Sequence, residues 1–306
     1  MIKSLDLTIN KYNFLIALVK LHMLNILKLI RIEQWVKNLL IFSIPVLANE
    51  FEFQTFTILL RVFFGFSFIA SSGYIVNDFL DIESDKNHYK KNKRVLASGK
   101  ISTSDAKKIF LITLVLGCSI LYIEGLNLLI VSLIYLSLSM LYSKFLKYYK
   151  YIDLLLISNF FVLRVYLGSI ASSIEASLFL VLLIFFSSLS IVVSKKLSIL
   201  LDKNIEISQV KESISNNYNL NMLKNLLAVS IVSTFFTYNL WIFSKSYLNL
   251  IFLASNIFFI LFSHKFYTLS LESKTEDFIK TLRSEILFLT YITLFISFSL
   301  YGIIFY

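Results

Sequence analysis

A chain of 306 residues that is 57% hydrophobic and 16% charged, with one proline and a mean hydropathy of +0.76, lies outside the composition of a soluble domain. Its 29 Lys and Arg against 19 Asp and Glu give a net charge of +10, but these residues are scattered along the chain and not gathered on one module, which excludes a nucleic-acid-binding domain. The single cysteine, Cys118, excludes an intrachain disulfide and a cysteine-based zinc site.

Residues 1–31 interleave Lys3, Lys11, Lys20 and Lys28 with apolar positions and read as an interfacial amphipathic arm with no cleavage site. Apolar runs of about 20 residues follow, each long enough at 1.5 Å per residue to cross roughly 30 Å of hydrocarbon. They predict nine spans, near 32–49, 54–77, 106–123, 126–143, 152–173, 176–194, 222–243, 247–269 and 285–306. The expected fold is therefore an all-α polytopic membrane protein, a single nine-helix domain over 32–306, because a lipid-facing backbone must satisfy its own hydrogen bonds.

Charge sorts the connections into two classes. All of the 29 Lys and Arg except Lys245 and the intraspan Arg61 and Arg164 lie on the N-terminal arm, on alternate loops or beside them. The positive-inside rule then predicts a multi-pass plasma-membrane protein with its N-terminus in the cytoplasm and its C-terminus outside, its basic loops against anionic lipid headgroups. Cytoplasmic loops at 78–105 and 144–153 become the candidate active-site loops. The largest loops, 78–105 and 195–221, are too short and polar to form cores of their own. Arg61 lies within snorkelling reach of an interface, whereas Arg164, about a dozen residues into its span, calls for a partner inside the bundle.

The second span ends in Asn77-Asp78-Phe79-Leu80-Asp81-Ile82-Glu83-Ser84-Asp85. On a continuing helix the i, i+3, i+7 spacing lines up Asp78, Asp81 and Asp85 on one stripe, with Asn77 one turn from Asp81. Like charges so placed need a cation among them, and an all-oxygen set at a wet interface favours Mg²⁺, whose shell substrate phosphates complete. A basic segment that includes His88, Lys91 and Arg94 follows and is suited to clamping an anion against that cation.

Asn77 to Asp85 resembles the NDxxDxxxD signature of the UbiA-type intramembrane prenyltransferases, which implies a bundle of about nine helices, a site open to the cytoplasm and use of Mg²⁺ at Asn77, Asp78, Asp81 and Asp85. A closer resemblance is to the polyprenyl-phosphate phosphoribosyltransferase branch. It rests on Gln34-Trp35-Val36-Lys37-Asn38, on His88, Lys91, Arg94 and Ala97-Ser98-Gly99, on Tyr142-Ser143, Leu146-Lys147 and Asp153, on Phe161, Leu163-Arg164 and Gly168, and on Lys195-Lys196. The chain departs from that pattern at Tyr89 and Val95, where the branch has prolines, at Lys195-Lys196, where it has Lys-Arg, and near Ile199, where it has a glutamate.

The stretch Tyr142 to Asp153 sets one carboxylate among Lys144, Lys147 and Lys150, where aromatic prenyltransferases of the superfamily have a second aspartate-rich motif. One acidic and one mostly basic cluster suit two phosphorylated substrates, one bound through Mg²⁺ and one directly by lysine. The resemblance implies phosphoribosyl pyrophosphate as donor and polyprenyl phosphate as acceptor, giving polyprenyl-phosphoryl-5-phosphoribose for a cell-envelope glycan. It assigns Asp78, Asp81 and Asp85 to catalysis. Substrate contacts fall to Lys37, Asn38, Asn77, His88, Lys91, Arg94, Tyr142, Lys147, Asp153 and Arg164. Two other readings remain at this stage: prenyl transfer from a prenyl diphosphate to an aromatic or other small acceptor, and a non-enzymatic transporter or lipid-binding protein.

Overall fold

The computed structural model describes residues 19–50, 52–87, 91–202, 218–244 and 250–305, so Lys3 and Lys11 of the arm lie outside the described residues. Every secondary-structure element among them is helical. In chain order they are α1 (residues 19–29), a 3-10 run Ile32–Phe42, α2 (Ser43–Ala48), α3 (Phe53–Leu80), α4 (Ile82–Lys86), a 3-10 turn Lys91–Lys93, α5 (Thr103–Glu124), α6 (Leu126–Lys144), a 3-10 turn Leu146–Tyr148, α7 (Ile152–Ser172), α8 (Leu178–Leu201), α9 (Leu220–Ser244), α10 (Leu250–Leu271), α11 (Phe278–Ser284) and α12 (Ile286–Phe305). Eight of these, α3, α5 to α10 and α12, are long and apolar enough to cross a membrane, and the protein is a multi-pass membrane protein.

The stretch read as the first span takes another form, an 11-residue 3-10 run that passes into the six-residue α2. Pro45, the chain's one proline, falls in the first turn of α2, where its missing N–H has no intrahelical partner to lose. Asn49, at φ 55°, ends that helix.

Residues face the opposite way from those of a soluble bundle. On α10, Leu250, Leu253, Ile257 and Ile260 form an exposed stripe at helical spacing, and on α9 Val229, Val232, Phe236 and Leu240 do the same. Small hydroxyl residues point inward instead: Ser67, Ser71, Ser158, Ser194, Ser198, Ser230, Ser255 and Ser270 are all buried. In lipid, close approach and interhelical hydrogen bonds hold helices together, which is what small polar residues provide.

Contacts along the chain group it into two compact units, residues 1–38 with 61–144, and residues 39–60 with 145–306. In the first, Trp35 Nε1 donates to Ser71 Oγ (3.0 Å) and Asn38 Nδ2 to Ser67 Oγ (2.9 Å), while Ser71 Oγ donates to the Ile30 carbonyl (2.7 Å). Arg61 has a partner on α5, pairing with Glu124 through Nε and, at 3.2 Å, through Nη2. The 78–105 loop is no free excursion: Val95, Leu96 and Ile101 pack with Leu29, Ile30, Ile75 and Ala106 in one buried cluster. Val95, where the resemblance leads one to expect proline, thus anchors the loop by burial.

In the second unit, α8 runs to Leu201, seven residues beyond the expected end of that span, and carries Lys195 and Lys196 inside its last two turns. A hydroxyl ladder ties α8 to the end of α10 and the α10–α11 connection, with Ser194 Oγ and Ser270 Oγ 2.8 Å apart and Ser198 Oγ 2.6 Å from Thr275 Oγ1. Tyr238 of α9 joins Ser255 of α10 and Ser299 of α12 through its hydroxyl, each at 2.7 Å. The hydroxyl ladder thus holds the end of α8 that bears Lys195 and Lys196.

Candidate active site

The first cluster lies in the first unit, where α3 gives way to α4. Asp81 interrupts the helix at φ −99°, ψ 4°, yet its N–H still bonds to the Asn77 carbonyl (3.0 Å) and Asp85 N–H to the Asp81 carbonyl (2.8 Å). The one-turn periodicity therefore survives the break. Asp78 and Asp85 are both buried, Asp85 to 1% exposure, and Asn77 and Asp81 are half-buried.

Two carboxylates this close and this dry need positive charge, and arginine supplies it. Arg94 Nη1 sits 2.6 Å from Asp85 Oδ2 and 3.2 Å from Asp78 Oδ1. Arg31 pairs with Asp78 as well, its guanidinium 5.0 Å from the centroid of the Tyr74 ring. Lys91 Nζ lies 3.9 Å from Asp85 Oδ1, too far for a hydrogen bond, and that buried oxygen has no hydrogen-bond partner. Arg31 was not legible as a site residue, since it sits in the N-terminal arm, 47 residues from Asp78.

Among the described residues no three His, Cys, Asp or Glu side chains converge on one point. The carboxylates that do converge are Asp78 and Asp85, across the shared guanidinium. This set still fits a hard divalent ion: Mg²⁺ commonly takes one or two carboxylates and fills its shell with water and phosphate oxygens. Asp85 Oδ1, buried without a hydrogen bond, is an acceptor available to such an ion.

The second cluster belongs to the second unit. Asp153, in the first turn of α7 where the helix dipole favours a carboxylate, is 3% exposed. Lys196 Nζ approaches its Oδ2 to 2.5 Å, and the Tyr218 hydroxyl donates to its Oδ1. Tyr218 also accepts from the N–H of Tyr151 (3.1 Å), a residue held at φ 65°, and its ring lies 5.2 Å from the Lys196 ammonium. Both oxygens of Asp153 are thus engaged by the protein itself. Lys147 lies half-buried on the 3-10 turn, its ammonium 5.3 Å from the Tyr148 ring.

The other expected contacts fall in both units. Arg164 is 3% exposed on α7, donating to the Phe160 carbonyl one turn back and lying 5.4 Å from the Phe161 ring. Asn38 is buried and its amide donates to Ser67; Lys37, next in sequence, is half-buried, as is Tyr142 near the end of α6. His88 lies outside the described residues. Tyr218, like Arg31, was missed: a lone tyrosine after a polar loop carries no motif.

Residues 39–280 match the profile of the UbiA prenyltransferase family. A decaprenyl-phosphate phosphoribosyltransferase of Corynebacterium glutamicum is 31% identical over 225 residues, covering 72% of this chain and 68% of that protein. One from Mycobacterium tuberculosis is 27% identical over 225 residues, covering 72% and 74%. Among solved structures, one described as digeranylgeranylglyceryl phosphate synthase in membranes has a TM-score of 0.65 at 23% identity, and a UbiA homolog from Archaeoglobus fulgidus bound to GPP and Mg²⁺ has 0.59 at 15%. Each covers 92% of this chain and 99% of its own, and at those identities the likeness is one of fold. The chain belongs to the UbiA prenyltransferase family.

Proposed function

We propose that the protein transfers a 5-phosphoribosyl group from phosphoribosyl pyrophosphate to a polyprenyl phosphate on the cytoplasmic face of the plasma membrane, making polyprenyl-phosphoryl-5-phosphoribose for a cell-envelope glycan. The observation that carries this reading is the state of the second cluster: its one carboxylate, Asp153, is neutralised by Lys196. A phosphate held directly by lysines suits such a cluster better than a metal-bound diphosphate does. The names of the relatives, decaprenyl-phosphate phosphoribosyltransferases, support the same substrates.

An acceptor phosphate is already ionised near neutral pH, so it needs positioning and desolvation more than a strong base. In this reading Lys37, Lys147 and Arg164 bind the acceptor or ribose phosphate, and Tyr142 is a further substrate contact. Arg94, Lys91 and His88 receive the donor's phosphates, and Arg31 and Arg94 exchange a carboxylate partner for a phosphate one as the donor arrives. Mg²⁺ would be held by Asp78 and Asp85, with Asn77 and Asp81 adjoining, and when bound it supplies charge neutralisation to a pyrophosphate leaving group.

The rival reading is prenyl transfer, favoured by the A. fulgidus homolog's complex with GPP and Mg²⁺. One assay decides between them: purified protein with Mg²⁺, labelled phosphoribosyl pyrophosphate or labelled prenyl diphosphate, and a panel of acceptors. Label should pass from the ribosyl donor into the lipid phase, and Asp78→Asn should abolish that transfer while the protein stays folded. Lys147→Met, losing one charged hydrogen bond of roughly 1.5–3 kcal/mol, should lower kcat/KM about ten- to hundredfold. Transfer from the prenyl donor alone would sink the proposal.

A further inference from the structure

The Asp153, Lys196 and Tyr218 group does more than a buried ion pair requires. A lone buried carboxylate can be satisfied by a hydroxyl and nearby backbone, whereas drawing a lysine ammonium out of water carries its own desolvation cost. An ammonium has three donors, and Asp153 Oδ2 takes one of them. The Asp153 side chain is 4% exposed and that of Lys196 17%, so the pair is open on the lysine side. Tyr218 is buried in one hydrophobic cluster with Leu154, Val193, Leu197, Leu223 and Leu227. Its hydroxyl bridges the Tyr151 N–H and Asp153 Oδ1, and its ring lies beside the ammonium. One side chain thereby sets the backbone of Tyr151, the orientation of the carboxylate and the position of the charge.

We infer that Lys196 is the ammonium that takes the phosphate monoester of the prenyl acceptor, and that Tyr218 and Asp153 are positioning residues that aim it. The inference rests on the transferase reading above for the identity of the anion. A monoester suits this cluster because a lysine binds it as a point charge without a metal, and the one nearby carboxylate is already neutralised.

The test measures binding apart from turnover, with farnesyl phosphate as the probe and the full-length protein in detergent. The double variant Asp153→Asn, Lys196→Gln replaces the ion pair by an amide pair of similar volume, leaving no buried charge unpaired. It should melt close to wild type and bind the probe roughly ten- to a hundredfold more weakly, the worth of one charged hydrogen bond. Tyr218→Phe keeps the ring and removes the hydroxyl. It should weaken binding several-fold in the wild-type background and not at all in the double variant, because its effect is transmitted through Lys196. Lys196→Arg, which keeps the charge, should recover most of the affinity. Unchanged affinity in the double variant would overturn the role of Lys196, and an equal Tyr218→Phe loss in both backgrounds would reduce the tyrosine to packing. If the double variant fails to fold, wild-type affinity in Tyr218→Phe alone overturns the positioning role. Should binding follow the expected pattern while no ribosyl transfer is detected, the anion site stands and the transferase reading falls.

Discussion

Single side chains in this protein are held by contacts that motif spacing does not reveal. At Gly168 a Cβ would meet the Ile41 carbonyl oxygen at 2.0 Å and its carbon at 2.9 Å, both of them backbone. Nothing flexible is available to yield. Gly168→Ala must therefore displace α7 from residues 39–42 and should destabilise the protein by about 3 kcal/mol, the upper range for overpacking. Gly73→Ala, whose added methyl would meet only side-chain atoms, the nearest at 3.4 Å, should be close to neutral. Melting curves in detergent check the pair, and equal losses would refute the explanation. Resemblance alone marked Gly168, and only the carbonyl packed against it gives the reason. Asp78 and Asp85 were legible from their spacing, because helical periodicity is a local rule. Arg31 and Tyr218 were not, since their partnerships span 47 and 65 residues of chain and no local pattern encodes them.

At the scale of elements, the 3-10 run and α3 fit by a coincidence of rise. Trp35 and Asn38, three apart at about 2.0 Å per residue, span about 6 Å; Ser71 and Ser67, four apart at about 1.5 Å, span the same. An α-helical Ile32–Phe42 would put Trp35 and Asn38 about 4.5 Å apart along its axis and lose one of the two bonds. Asn38→Ala leaves the buried Ser67 hydroxyl unpaired and should cost roughly 1–3 kcal/mol. Adding Ser67→Ala should then cost little more, and strictly additive losses in the double-mutant cycle would refute the coupling. Hydropathy located this apolar stretch but could not tell the two helix types apart, as both bury the same residues. Span ends were misjudged for a related reason. Lys195 and Lys196 look like a loop to a hydropathy scan, yet α8 continues through them because Asp153 and Tyr218 satisfy Lys196.

For the whole molecule, charge bias predicts sidedness. In a Cys118→Ser background, cysteines at Lys100, Lys150 and Lys280 should react only with a reagent applied from the cytoplasm, and one at Glu175 only from outside. All four positions are exposed. Outside labelling at Lys100 would overturn the orientation and remove the first cluster from any cytosolic donor. The broken first segment bears on the same experiment through parity. The eight α-helices among the described residues that are long and apolar enough to cross, an even number, would by themselves return the chain to the side from which it started. A cytoplasmic N-terminus and an external C-terminus demand an odd number, so the stretch 32–49 has to supply the ninth. Its 3-10 portion, 11 residues at about 2.0 Å, and the six residues of α2 at about 1.5 Å together rise roughly 31 Å, the thickness of the hydrocarbon core. The tighter winding thus gives a short segment the reach of a longer α-helix. Cysteines at Lys20 and Phe305 should then be labelled from opposite faces, and labelling of both from one face would mean that residues 32–49 enter the membrane and turn back.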